Sequence, residues 1–91
     1  MSEIVRTVQI TNRRGLHARA SAKFVTLASA HAIEVMVTKD GTDTVTGTSI
    51  MGLMMLGAAM GDAITISARG DGAEHTVAAL AELVEAKFGE D

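Results

Sequence analysis

The sequence lacks several residue types, and each absence narrows the classes of function that it can have. It has no cysteine, so disulfides and thiolate metal sites are excluded. It has two aromatic residues, Phe24 and Phe88, and both fall in apolar helical patterns, which leaves no platform for stacking bases. The longest uncharged stretch, residues 44–61, is interrupted by glycines and has too short an apolar part to span a bilayer. We therefore expect neither nucleic-acid binding nor membrane insertion.

Nucleotide-binding signatures are also absent. No segment has the G-x-x-x-x-G-K-S/T spacing of a phosphate-binding loop, and no acidic cluster could hold magnesium against a nucleotide. No acid lies near His17 in the sequence, so a serine–histidine–acid set is not expected. The chain is therefore not expected to make its own activated phosphate or to need a cofactor. If the chain handles a phosphoryl group, it would have to receive that group from a partner and pass it on.

Acidic residues are missing between Glu3 and Glu34, although the net charge of the chain is −3. The basic residues in this interval are Arg6, Arg13, Arg14, Arg19 and Lys23. This distribution predicts one positive surface on an acidic body. Such a surface attracts an anionic ligand or an acidic partner.

The hydrophobic pattern predicts seven elements in one domain that covers residues 1–91. Strands are predicted at 3–10, 33–39, 42–48 and 62–69, and helices at 18–30, 49–57 and 73–88. Asp40-Gly41 is a hairpin signal, so the second and third strands should be antiparallel. The order β-α-β-β-α-β-α predicts an α+β fold in which helices cover one face of a sheet. The N-terminal residues do not have the pattern of a signal peptide, so a cytoplasmic protein is expected.

His17 is the residue with the strongest indication of chemistry. It precedes a predicted helix, where unpaired backbone N–H groups favour an anion. Ala18 is the expected cap and has no side-chain oxygen, so the amides of Ala18 and Arg19 should be available to a ligand. Arg19 adds a planar donor for a phosphate, and Gly15 permits a tight turn before the helix. A neutral imidazole here could carry a phosphoryl group, although a histidine that only caps the helix would have a similar pattern.

The other two histidines are expected to have structural roles. His31 lies just past the first helix, where the helix dipole favours a cation. His75 lies early in the last helix, on its polar side. No pair of histidines has i, i+4 spacing with acidic neighbours, so no metal site is expected.

The segment "SIMGLMMLGAAM" predicts a short helix with an exposed apolar face. Ser49 is a good N-cap and Gly57 is a good residue to end the helix. A helix of two turns cannot bury all of its isoleucine, leucine and methionine side chains against one sheet. Flexible apolar side chains that remain exposed are typical of a partner surface.

Two motifs together resemble one family over essentially the whole chain. "GLHARASAKF", followed about thirty residues later by "GTSIMGLMMLGA", resembles HPr, the histidine-containing phosphocarrier of the bacterial phosphotransferase system. The resemblance implies an open-faced β-sandwich, with a four-stranded antiparallel sheet and three helices on one face. It implies that Nδ1 of His17 accepts phosphate from phosphorylated enzyme I, which draws on phosphoenolpyruvate, and donates it to a IIA protein, with Arg19 assisting.

The resemblance also implies a regulatory site and a docking surface. Ser49 matches the serine that HPr kinase/phosphorylase modifies where that enzyme exists, and Ile50, Met51 and Met54 match docking positions. The carrier is expected to act as a monomer. Many members have proline at the position of Ala20, and similar alanine variants resemble the nitrogen-related branch. Four roles therefore remain as alternatives. The chain could serve sugar transport or nitrogen regulation, act as a purely regulatory module through Ser49, or be a small ligand-binding domain.

Overall fold

The strand and helix patterns of the sequence produce the predicted order of elements. A computed structural model describes residues 3–40 and 42–90. The elements are β1 (Glu3–Gln9), α1 (Ala18–Ser29), β2 (Val35–Lys39), β3 (Val45–Thr46), α2 (Ile50–Met55), β4 (Ala63–Arg69) and α3 (Ala73–Glu85), followed by a 3-10 turn at Lys87–Gly89. No helix within these described ranges has the length and apolar character needed to cross a membrane.

The four strands form one antiparallel sheet in the order β1-β4-β2-β3. β4 is central and pairs along its whole length with β1, from Glu3 opposite Arg69 to Gln9 opposite Ala63. The alternate residues Ile64 and Ile66 of β4 are buried under the helices, because successive side chains of a strand point to opposite faces. The other face of the sheet is open. The predicted α+β class, with an open-faced β-sandwich and three helices on one face, is confirmed.

The third strand is shorter than predicted. Only Val45 and Thr46 pair with β2, whereas the pattern predicted a strand over 42–48. Thr42 instead folds back on Lys39: its amide and its hydroxyl both donate to the Lys39 carbonyl, at 3.0 and 2.7 Å. This turn uses groups that a longer strand would need for pairing. Of the predicted Asp40-Gly41 turn, Gly41 lies outside the described residues.

The predicted extent of the last helix is wrong at its end. α3 stops at Glu85, and Phe88 lies in the following 3-10 turn with a left-handed φ of 56°. Phe88 is nevertheless buried, as is Phe24 on α1. The apolar side chain therefore reaches the core through a reversal of the backbone and not through a continued helix.

The start and end of α2 agree with the sequence. Ser49 is the N-cap, and its Oγ accepts a hydrogen bond from the Gly52 amide at 2.9 Å. Leu56 ends the helix, and Gly57 follows in the left-handed region with φ of 66°. Such a glycine is common after a helix, because it carries no Cβ to clash there.

The loop between β1 and α1 is attached to the segment that follows α2. The amide of Ile10 donates to the Asp62 carbonyl at 2.8 Å, and the amide of Leu16 donates to the Ala58 carbonyl at 3.0 Å. Gly15 has φ of 63°, and a Cβ at this position would clash with the carbonyl oxygen of Ala58. The two segments can approach this closely only because residue 15 is glycine.

We predict that Gly15→Ala destabilises the protein more than Gly57→Ala. Both glycines have left-handed φ values, and each alanine costs about 1–2 kcal/mol for that conformation. At Gly57 no atom lies within 4 Å of the added Cβ, whereas at Gly15 the Cβ meets backbone atoms. Urea unfolding of the two variants measures the difference, and equal free energies of unfolding would contradict the proposed close contact.

Candidate functional site

His17 is itself the N-cap of α1, not a residue that precedes an alanine cap. Its backbone is extended, with φ −73° and ψ 180°, and its carbonyl accepts from the Ser21 amide at 2.9 Å. Its ring nitrogen Nδ1 accepts a hydrogen bond from the Arg19 amide at 3.2 Å. The prediction that Ala18 caps the helix is therefore wrong, because the imidazole supplies the acceptor that alanine lacks.

This contact assigns the tautomer of His17. A backbone amide can only donate, so Nδ1 must present its lone pair to Arg19. In the neutral imidazole the proton is then carried by Nε2. Nδ1 is thereby the nucleophilic atom of the ring, and its lone pair points toward the first turn of α1.

Glu90 binds the other ring nitrogen of His17. Its two carboxylate oxygens lie 3.0 and 3.1 Å from Nε2, so they accept the hydrogen bond that the Nε2 proton donates. Buried Asn12 positions the carboxylate by donating to Oε1 of Glu90 at 2.8 Å, and it also donates to the Gly15 carbonyl at 2.9 Å. No acid lies near His17 in the sequence, and the fold brings Glu90 to it from 73 positions away.

Its hydrogen bonds hold Glu90 in the charged form. The hydrogen bond from Asn12, and next the one from His17, lower the pKa of Glu90 below its ordinary value of 4.5. Because this pKa is lower in the folded than in the unfolded chain, the contact stabilises the fold above about pH 4.5. The stabilisation is lost as the pH falls through the folded-state value.

A left-handed turn brings Glu90 to the site. Lys87, Phe88 and Gly89 have φ values of 59°, 56° and 75°, so three successive residues adopt a conformation that side chains disfavour. Phe88 is buried beneath this turn, and Lys23 Nζ on α1 donates to the Phe88 carbonyl at 2.6 Å. Burial and this charge-assisted hydrogen bond offset the backbone cost.

The arginines around His17 are exposed. Arg13 and Arg14 lie in the loop before α1, and Arg19 lies in the first turn of the helix. Their guanidinium groups make no hydrogen bond or ion pair with the rest of the described chain. They therefore add exposed positive charge to the segment that carries His17, and we call these three arginines the positive rim. Residues 3–40 and 42–90 contain no group of three histidine, cysteine or acidic side chains that could hold a metal ion.

α2 places an apolar surface beside this site. The helix packs against α1, and the chain just after it is hydrogen-bonded to Leu16, the residue before His17. Leu53 and Leu56 are buried, whereas other apolar side chains of the segment are exposed, as predicted. We call the exposed set the methionine surface; it consists of Ile50, Met51, Met54, Met55 and Met60.

Comparisons with known proteins bear on the family of this chain. The family model described as PTS HPr component phosphorylation site matches residues 4–86. The phosphocarrier protein HPr of Neisseria meningitidis is 46% identical over 84 residues, which cover 92% of this chain and 93% of that protein. The phosphocarrier protein NPr of Shewanella violacea is 39% identical over 90 residues, which cover 99% and 98% of the two chains.

A solved structure agrees in fold as well as in sequence. The crystal structure of HPr-C-His from Thermoanaerobacter tengcongensis superimposes with a TM-score of 0.88 at 44% identity, covering 100% of this chain and 99% of that one. The similarity extends over the sheet, the helices and the histidine loop. The chain therefore belongs to the HPr family of phosphocarrier proteins of the phosphotransferase system.

Proposed function

We propose that His17 accepts a phosphoryl group on Nδ1 from phosphorylated enzyme I and donates it to a IIA component. The observation that carries this proposal is the pair of hydrogen bonds that leaves the lone pair of His17 on Nδ1. In the transfer, this lone pair forms the bond to phosphorus, and the donor's bond to phosphorus breaks with its electron pair remaining on the donor. The reverse sequence of bond changes delivers the group to the acceptor.

Arg19 would stabilise the transferred phosphoryl group in two ways. Its backbone amide, now directed at Nδ1 at 3.2 Å, lies where an oxygen of a phosphoryl group on Nδ1 can accept from it. Its guanidinium supplies a second donor, which is charged, from the first turn of α1. The amides of Ala18 and Arg19 belong to the N-terminus of a helix of 12 residues, whose dipole favours the added negative charge.

Glu90 would act as a positioning residue for this transfer. Attack through Nδ1 leaves the ring with positive charge while Nε2 keeps its proton. A carboxylate within 3.0 Å of Nε2 stabilises that charge and fixes the tautomer. Asn12 acts through Glu90, since its amide holds the carboxylate in place.

Partners would dock on the methionine surface and the positive rim together. Ile50, Met51 and Met54 offer flexible apolar contacts beside His17, and Met51 and Met55 are the most exposed, at 69% and 79%. The arginines attract acidic partner surfaces. The chain would act as one HPr-like domain and as a monomer, in which the imidazole is accessible to donor and acceptor in turn.

A nitrogen-type carrier is a second candidate, supported by the similarity to NPr along nearly the whole chain. The chemistry at His17 would be the same, and only the IIA partner would differ. Incubating the phosphorylated chain with purified sugar-type and nitrogen-type IIA proteins separates the two roles. Faster phosphate uptake by the nitrogen-type IIA protein would assign the nitrogen role, and faster uptake by the sugar-type IIA protein would assign the sugar role.

We predict that enzyme I and phosphoenolpyruvate together place one acid-labile phosphate on each chain, and that His17→Ala abolishes this labelling. The loss follows because no other side chain of the described site presents a nucleophilic nitrogen. Intact-protein mass spectrometry measures the label. His75→Ala is the matched control and should label as the wild type does, since His75 lies on α3. Full labelling of His17→Ala would show that the assignment is wrong.

We predict that Glu90→Gln slows phosphoryl uptake on the order of tenfold. The amide keeps the size of the side chain but removes the negative charge that pairs with Nε2. Nitrogen-15 NMR of the His17 ring should show the Nε2–H tautomer in the wild type and a mixture in the variant. Glu82→Gln removes an exposed charge from α3 and serves as the control. An unchanged tautomer and rate in Glu90→Gln would exclude the positioning role.

Ser49 would be the regulatory site wherever HPr kinase/phosphorylase accompanies this carrier. A phosphate there would add about −1.5 to −2 charges at neutral pH beside the methionine surface. The charge would repel acidic partners and raise the cost of burying the neighbouring apolar side chains. Regulation through Ser49 would thus act on docking and not on the chemistry of His17.

We predict that Ser49→Asp slows phosphoryl transfer from enzyme I, whereas Ser49→Asn does not. Aspartate and asparagine are both good N-caps of nearly equal size, so the pair isolates charge from loss of the Gly52 hydrogen bond. Stopped-flow transfer assays at low salt measure the effect where screening is weakest. If the two variants react at the same rate under these conditions, electrostatic control of docking is refuted.

A further inference from the structure

Two histidines that the phosphoryl site does not use lie together at the opposite end of α1. His31 follows the C-terminal end of α1, and His75 lies in the first turn of α3. Their ring centroids are 5.7 Å apart and the rings are tilted by 58°. They lie 44 positions apart in the sequence, so only the packing of the two helices brings them together.

Buried Thr76 orients one of the two rings. Its Oγ1 lies 3.1 Å from Nδ1 of His31, and the threonine is 1% exposed. When Nδ1 donates to this hydroxyl, Nε2 of His31 carries the lone pair. A hydrogen bond to the second ring nitrogen is the usual way in which a protein orients a histidine that binds a metal. Half-buried His31 is therefore the fixed member of the pair, and exposed His75 is the adjustable one.

We propose that His31 and His75 together bind one borderline transition-metal ion, such as Zn²⁺. Zinc–nitrogen bonds of about 2.0–2.1 Å place each ring centre about 3.2 Å from the metal, and a tetrahedral angle then separates the two centres by about 5.2 Å. The observed 5.7 Å is close to this separation. Exposed His75 is the ring whose rotation would close the remaining difference.

The local charge also suits a cation. His31 lies at the negative end of the α1 dipole. Glu74, in the first turn of α3, adds a negative charge next to His75 in the sequence. Since no group of three ligand side chains occurs among residues 3–40 and 42–90, water completes the coordination. The ion is therefore exchangeable, and imidazole ligands select Cu²⁺, Ni²⁺ and Zn²⁺ over Mg²⁺.

This metal site is independent of the proposed phosphoryl transfer. α1 separates it from His17 by roughly 20 Å, at a rise of 1.5 Å per residue. A bound ion would link the end of α1 to the start of α3 and leave the positive rim and the methionine surface accessible. Failure of the metal site would therefore leave the role of His17 untouched, and the reverse also holds.

Calorimetric titration of the untagged full chain with Zn²⁺ tests the proposal. We expect one ion per chain, binding at least tenfold weaker in both His31→Gln and His75→Gln, and weaker binding in the nearly isosteric Thr76→Val. His17→Gln is the matched control and should bind as the wild type does. Ni²⁺ should give a similar pattern, and Mg²⁺ should not bind.

The location of the ion is measured separately by NMR. Substoichiometric Cu²⁺ should broaden the ring signals of His31 and His75 before those of His17. Wild-type affinity in His75→Gln would overturn the proposal, and this exposed position keeps the test valid even if His31→Gln unfolds. Loss of binding in His17→Gln, or first broadening at His17, would also overturn it by placing the ion at the His17–Glu90 pair.

Discussion

The imidazole of His17 is hydrogen-bonded at both of its ring nitrogens, and the geometry of the site depends on this arrangement. The Arg19 amide donates to Nδ1 and the Glu90 carboxylate accepts from Nε2. One contact comes from the helix that His17 begins, and the other comes from the far end of the chain. Together they fix the ring plane, the tautomer and the direction of the reactive lone pair before any donor arrives.

The scaffold holds the two hydrogen-bonding partners of the His17 ring, the Arg19 amide and the Glu90 carboxylate, by different means. On one side, the α1 N-terminus is secured by the close approach of Gly15 to the segment after α2. On the other side, burial of Phe88 and the hydrogen bond from Lys23 maintain a left-handed turn. Two residues other than glycine in this turn cost about 1–2 kcal/mol each, and burial of one phenylalanine side chain offsets a similar amount. The sheet supports the site without contributing a side chain to it.

The periodic parts of the fold could be predicted from the sequence, and the contacts of the site could not. Alternation identified β1, β2 and β4, and Ser49 and Gly57 marked the ends of α2 correctly. The cap of α1 was misplaced, because an imidazole accepts or donates according to its surroundings. Glu90 was missed because its hydrogen bond to His17 spans 73 positions, and no local pattern records such a pairing. Phe88 continued the apolar spacing of α3, although the backbone reverses before it.

The long sequence separation within the site has a consequence for its folding. Glu90 meets Asn12 and His17 only after the chain has closed a loop of more than seventy residues, so these contacts carry a large loop-closure entropy. The left-handed turn at Lys87–Gly89 lies outside the sheet and holds Glu90 against His17, and it also carries buried Phe88, so opening the turn would remove an apolar side chain from the core. The orientation of the imidazole is thus coupled to the packing of the core through this turn. Hydrogen exchange at the Gly89 and Glu90 amides reports on opening of the turn, and exchange in β4 reports on unfolding of the sheet.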